Sequence, residues 1–153
     1  MTVQLALRKN DTDIGSRLIR WWTGSPYSHC ELVVDGFCYS SSLMDHGVRR
    51  KAVGLGSDDV SLSPDKWDLV ELPWANKDAI LAYFAQTDGY GYGWFSLIAS
   101  QIINRNIAQK NSQFCSEWSA TALGLPDPST LSPGGLGDTC RFLCNFGMPA
   151  VPA

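Results

Sequence analysis

"SPYSHCELVVDGFCYSSS", residues 25–42, reads as a β-hairpin. Asp35-Gly36 is a two-residue turn signal, and the arms on either side are rich in valine, leucine and aromatic residues. That turn puts Val34 opposite Phe37, and pairing then proceeds outward two by two, so the side chains sort by parity. One face collects Cys30, Leu32, Val34, Phe37, Tyr39 and Ser41, which are mainly apolar. The other collects His29, Glu31, Val33, Cys38, Ser40 and Ser42, with His29 expected opposite Ser42 and Glu31 opposite Ser40. His29 is one of only two histidines, and this register gives it polar neighbours able to fix its tautomer.

Working outward from the hairpin, residues 2–8 alternate as a first strand. Asp11 or Asp13 can cap a helix through "IGSRLIRWWTG" (14–24), which Gly24 ends. Ile14, Leu18, Trp21 and Trp22 follow helical spacing there and are expected to face the core. Residues 43–65 read as irregular, with a short strand at "GVRRKAV" (47–53), and "KWDLVELP" (66–73) reads as another strand. A helix is predicted over 76–87, a glycine–aromatic loop over 88–94 and a buried helix over 94–103. A polar connector (104–113) then leads to a helix in "FCSEWSATALGLP" (114–126). The last helix follows Ser132-Pro133. The pattern predicts an α+β fold in one domain, 1–153, with an antiparallel sheet of about five strands packed with helices.

Composition narrows the function classes. In 153 residues, 44% are hydrophobic and 11% aromatic, which argues for a packed core. The net charge of −3 offers no broad basic footprint, so nucleic acid is not an expected partner. No run approaches the ~18 apolar residues of a membrane span. The N-terminus lacks the basic and apolar regions of a secretory signal, so a cytoplasmic location as synthesised is expected. Five cysteines, an odd number, then read as free thiols. "CRFLC" (140–144) has no partner set for zinc, so neither metal nor cofactor is expected. Nothing in the pattern fixes an oligomeric state.

A histidine base needs a nucleophile, and "SQFCSEWSA" (112–120) offers Cys115. The predicted helix places Cys115 in its first turn, where unpaired N–H groups and the helix dipole favour a thiolate and could hold an oxyanion. By parity Cys30 points away from His29, Cys38 lies at the turn end of the hairpin, and Cys140 and Cys144 read as core residues.

Three stretches together, "SRLIRWWTGSPYSHCELVVDG" (16–36), "YGYGWFSL" (90–97) and "FCSEWSATALGLP" (114–126), carry a family likeness. The chain resembles the circularly permuted papain-like cysteine peptidases of the NlpC type, which include YiiX-like proteins and small bacteriophage-encoded members. In that branch the histidine precedes the cysteine, as here. The resemblance implies a Cys115 nucleophile and a His29 general base. It also implies a third polar residue that orients the histidine. Glu31 is the first choice by face and charge and Ser42 the second by opposition, with Ser40, Asp45 and His46 left open. Tyr27 and Tyr90 match aromatic positions of the family and are expected, with Ser42, to shape the substrate cleft.

The expected chemistry is thiol-dependent hydrolysis of an amide, with a peptide, peptidoglycan or acyl compound as substrate. A soluble acyltransferase using the same pair, and a catalytically idle phage structural or binding module, are the competing readings.

Overall fold

A computed structural model describes residues 2–42, 45, 47–89 and 107–147, with the backbone alone for 19, 22 and 107–114. Strands β1 (Val3–Lys9), β2 (Tyr27–Val34), β3 (Phe37–Ser42), β4 (Gly47–Ala52) and β5 (Trp67–Leu72) make one sheet in the order β4-β3-β2-β1-β5. Every neighbouring pair is antiparallel. Helices α1 (Ile14–Thr23), α2 (Lys77–Thr87), α3 (Ile107–Ala122) and α4 (Pro133–Asn145) complete the described architecture, an α+β fold.

Local chemistry explains most of the boundaries. Asp35 (φ 51°) and Gly36 (φ 78°) both take positive φ, as a two-residue hairpin turn requires. The side chains of Asp13, Asn76 and Ser132 accept from the N–H groups of Ser16, Ala79 and Gly135, capping α1, α2 and α4. Gly24 ends α1 in the left-handed region.

The sheet has two unlike faces. Leu5, Leu7, Cys30, Leu32, Val34 and Tyr39 form the main core with residues of the three later helices, among them Ile80, Trp118, Leu136 and Cys140. Each fully buried leucine contributes roughly 2 kcal/mol by leaving water. The opposite face carries a smaller apolar cluster of Ala6, Val33, Cys38 and Trp67. Around that cluster the face is charged, because Arg49 pairs with Ser40, Lys51 with Cys38 and Arg8 with His29.

Two expectations fail here. Residues 107–113, read as a polar connector, are the first turns of α3. Their Gln, Lys and Asn are good or tolerable helix formers, and a polar face alone does not distinguish a solvated helix from a loop. Three residues of the α1 stripe stay out of the core, Ile14 and Trp21 each 77% exposed and Leu18 47% exposed, and the Trp22 side chain lies outside the described residues. Helical spacing identifies an apolar stripe without saying what covers it.

Among the described residues, no helix is long and apolar enough to cross a membrane. The glycine–aromatic loop from Tyr90 onward and the helix expected over 94–103 lie outside the described residues.

Candidate active site

The site begins where the central hairpin comes apart. Strands β2 and β3 pair at Val34–Phe37, Val33–Cys38 and Leu32–Tyr39, the register expected from the turn. Beyond Leu32 the ladder stops, although both strands continue. The backbone of Cys30 is therefore not used by β3. Its carbonyl accepts from Ser40 Oγ at 3.0 Å, and its N–H donates to the Cys115 sulfur. Helix α3 crosses this gap, so a residue on the helix side of the sheet reaches a histidine that belongs to the other side.

His29 Nε2 lies 3.2 Å from Glu31 Oε1 and 3.4 Å from Ser40 Oγ. The ring and the Cys115 sulfur are also hydrogen-bonded. Trp67 stands edge-on to the imidazole, with ring centroids 6.5 Å apart. Glu31 is 2% exposed and is gripped by Arg49, Nη1 to Oε2 at 2.9 Å and Nη2 to Oε1 at 2.7 Å. Arg49 Nε in turn binds Asp45 at 2.8 Å, and Lys51 binds the same carboxylate at 2.7 Å. A polar chain thus runs Asp45–Arg49–Glu31–His29–Cys115 across β4, β2 and α3.

These contacts set the charge states. Burial disfavours a charged imidazole, yet the Cys115 sulfur and the Glu31 carboxylate together push His29 up to about 10. Burial also opposes the Glu31 carboxylate, but His29 and Arg49 bring it down to about 2. Burial would raise the Cys115 thiol, and hydrogen bonds from Cys30 with the His29 charge outweigh it, holding the thiol well below the ordinary value. The other buried thiols move the opposite way. Burial raises Cys38, raises Cys140 to about 12, and with the neighbouring Cys115 raises Cys30. Cys115 is the one buried cysteine whose thiol is shifted down rather than up.

A cleft of about 660 Å³ opens on the charged face of the sheet. His29, Glu31, Ser42 and Trp67 line it, and both signs of charge stand on its walls, including Arg8, Lys51, Asp11 and Asp45. Cys115 does not line it, and its side chain is fully buried.

Of the residues singled out in the sequence, His29, Glu31 and Cys115 are brought together. Ser40, expected opposite Glu31, stands 3.4 Å from the imidazole, and the β2–β3 register ends at Leu32–Tyr39, short of Ser42. Ser42 stays on the cleft wall. Tyr27 is buried away from the cleft, where its hydroxyl donates to Asp68 at 2.7 Å and accepts from Arg141 at 3.0 Å. Tyr90 and His46 lie outside the described residues. Cys115 is not at a helix start: it is the ninth residue of α3, so the first-turn N–H groups expected to favour its thiolate lie two turns away. Sequence reasoning missed Arg49. The available signal was a buried glutamate in need of a cation, with an arginine on the next strand at matching parity.

Compared with family models, curated proteins and solved structures, the chain matches none.

Proposed function

We propose that the protein is a thiol-dependent hydrolase of amide bonds, with Cys115 as nucleophile, His29 as general base and acid, and Glu31 orienting the imidazole. The observation that carries the reading is the hydrogen-bonded contact between a buried thiol shifted down and an imidazole shifted up. The cysteine–histidine order and the flanking motifs resemble the permuted papain-like peptidases, which points to peptide substrates, including peptidoglycan stem peptides.

In this mechanism the Cys115 thiolate attacks the carbonyl carbon, and the carbonyl oxygen becomes an oxyanion. The Cys30 N–H, freed by the parting of β2 and β3 and already directed at the sulfur, is the backbone donor placed to hold that charge. The C–N bond breaks as His29 delivers its proton to the leaving amine. Water, deprotonated by the now neutral imidazole, then cleaves the thioester and restores the thiolate. Substrate would enter through the charged cleft, passing the imidazole edge.

The full burial of Cys115 favours a second reading, a non-catalytic binding module in which the pair is structural. Iodoacetamide labelling across pH, read by mass spectrometry, separates the two. The hydrolase reading expects Cys115 to be alkylated first at pH 6, with an apparent pKa well below the ~8.5 of a free thiol. His29→Ala should raise that value. Five thiols reacting alike at pH 6, or Cys115 reacting last, overturns the hydrolase. An added amine or lipid acceptor that intercepts the acyl-enzyme would identify a transferase instead.

A further inference from the structure

Cys30 has no role in that mechanism beyond its backbone, yet its sulfur meets the reactive one. Cys30 Sγ lies 3.9 Å from Ser119 Oγ, and Ser119 stands one helical turn after Cys115 on the same face of α3. The Cys30 sulfur is itself hydrogen-bonded to Cys115. Both residues are wholly buried in the main core, one from a strand and one from a helix packed across it. Cys140 and Cys144 are also near neighbours, but they follow one another along a single helix.

We infer that Cys30 and Cys115 form a peroxide-responsive dithiol, in which a hydroperoxide oxidises the Cys115 sulfur and Cys30 closes on it as a disulfide. The inference rests on the reading above for the Cys115 thiolate and for the protonated His29 beside it. In the first step the thiolate attacks one peroxide oxygen and the O–O bond breaks. His29 protonates the departing hydroxide, leaving a sulfenic acid and one water. In the second step the Cys30 sulfur attacks the sulfenic sulfur, the S–O bond breaks, and the Cys30 proton leaves with the oxygen as a second water. Two thiols lose two electrons and one peroxide gains them.

The charges favour this order. The Cys115 thiolate is one of the causes that keep Cys30 protonated at rest. Oxidation to a neutral sulfenic acid removes that charge and so makes Cys30 the better nucleophile at the moment it is needed. Burial keeps bulky oxidants out, whereas hydrogen peroxide is close to water in size and meets the imidazole that borders the cleft. The product is a blocked nucleophile that a small thiol reductant can restore.

The test treats the full chain with hydrogen peroxide at pH 7, alkylates the remaining thiols and maps the peptides without reduction. The expected result is a Cys30–Cys115 linked pair that dithiothreitol releases. Cys30→Ser and Cys30→Ala should each divert Cys115 to sulfinic and sulfonic acid. A double Cys140→Ser, Cys144→Ser variant should leave the link intact. Wild-type Cys115 found as sulfinic acid with Cys30 freely alkylated overturns the inference, as does a link through any other pair or no oxidation of Cys115. Selective alkylation of Cys115 with no disulfide sinks this inference and leaves the hydrolase standing. A disulfide without turnover does the reverse.

Discussion

Arg49 and Glu31 meet as a two-pronged ion pair between β4 and β2, Nη1 to Oε2 at 2.9 Å and Nη2 to Oε1 at 2.7 Å, with the carboxylate 2% exposed. A charge this deep is tolerable only with its partner in place. The pair presents Glu31 Oε1 to His29 Nε2 at 3.2 Å, so an arginine on β4 helps decide the state of the imidazole.

Removing the arginine exposes the cost of that arrangement. Arg49→Met should destabilise the fold by about 3 kcal/mol, because it leaves an uncompensated buried carboxylate. Arg49→Lys keeps the charge without the planar fork and should cost roughly 1.5 kcal/mol. Urea unfolding checks both, through a lower midpoint at unchanged slope.

The pH dependence of stability on the acid side follows from the same carboxylate. Glu31 is held at about 2 in the folded chain, below its ordinary value near 4.5. A depressed carboxylate stabilises the fold fully above its unfolded value and loses that contribution as pH falls through the folded one. The urea midpoint should therefore drop between about pH 4.5 and 2. Glu31→Gln should flatten this limb while lowering stability at neutral pH. An unchanged acid limb in that variant contradicts the assignment.

How far the site could be read in advance depends on which structural question is asked. The hairpin faces were readable because β-structure has period two and Asp35-Gly36 marks its origin, so the grouping of His29, Glu31 and Ser40 followed from parity. The parting of β2 from β3 beyond Leu32 was not, since no local pattern encodes where a ladder stops. That break accompanies the approach of Ser40 to the imidazole and of Cys115 from the other layer. Arg49 was hidden for a related reason. Its parity becomes meaningful only once β4 is known to pair with β3. The start of α3 was misplaced because Asn, Gln and Lys suit a solvated helix as well as a loop.

The imidazole itself should titrate far from the ordinary histidine range. With His29 raised to about 10, its ring remains protonated through neutrality. A raised histidine stabilises the fold fully below its unfolded value of about 6.5 and loses that contribution as pH climbs through the folded one. Ring nitrogen shifts in NMR should accordingly stay flat from pH 5 to about 8. Cys115→Ser removes the leading favourable charge and should bring the ring's titration to lower pH. Titration near 6.5 in the unaltered chain contradicts the ion pair.

Ser40 is expected to contribute to the stability of the site. Its hydroxyl is fully buried, donates to the Cys30 carbonyl at 3.0 Å and stands 3.4 Å from His29 Nε2. Ser40→Ala leaves that carbonyl without its partner and should cost about 1–2 kcal/mol. A loss below about 0.5 kcal/mol in urea unfolding would mean that the Cys30 carbonyl does not depend on this hydroxyl.

The layer that carries Cys115 is held against the sheet partly by α4, and one glycine sets how closely that helix can pack. A Cβ placed on Gly137 would meet Leu7 Cδ1 at 2.6 Å, well inside contact distance, and Leu7 is fully buried on β1. In an exposed helix Gly→Ala gains about 1 kcal/mol, but here overpacking costs about 1–3 kcal/mol and should win, so Gly137→Ala lowers the urea midpoint. Leu7→Ala alone should cost about 2–5 kcal/mol through the cavity it opens. The added methyl and the deleted isobutyl tip compete for the same space, so the double variant should be more stable than the sum of the two losses implies. Strict additivity in that cycle would show that α4 simply lifts away from β1, and that the glycine does not set the approach.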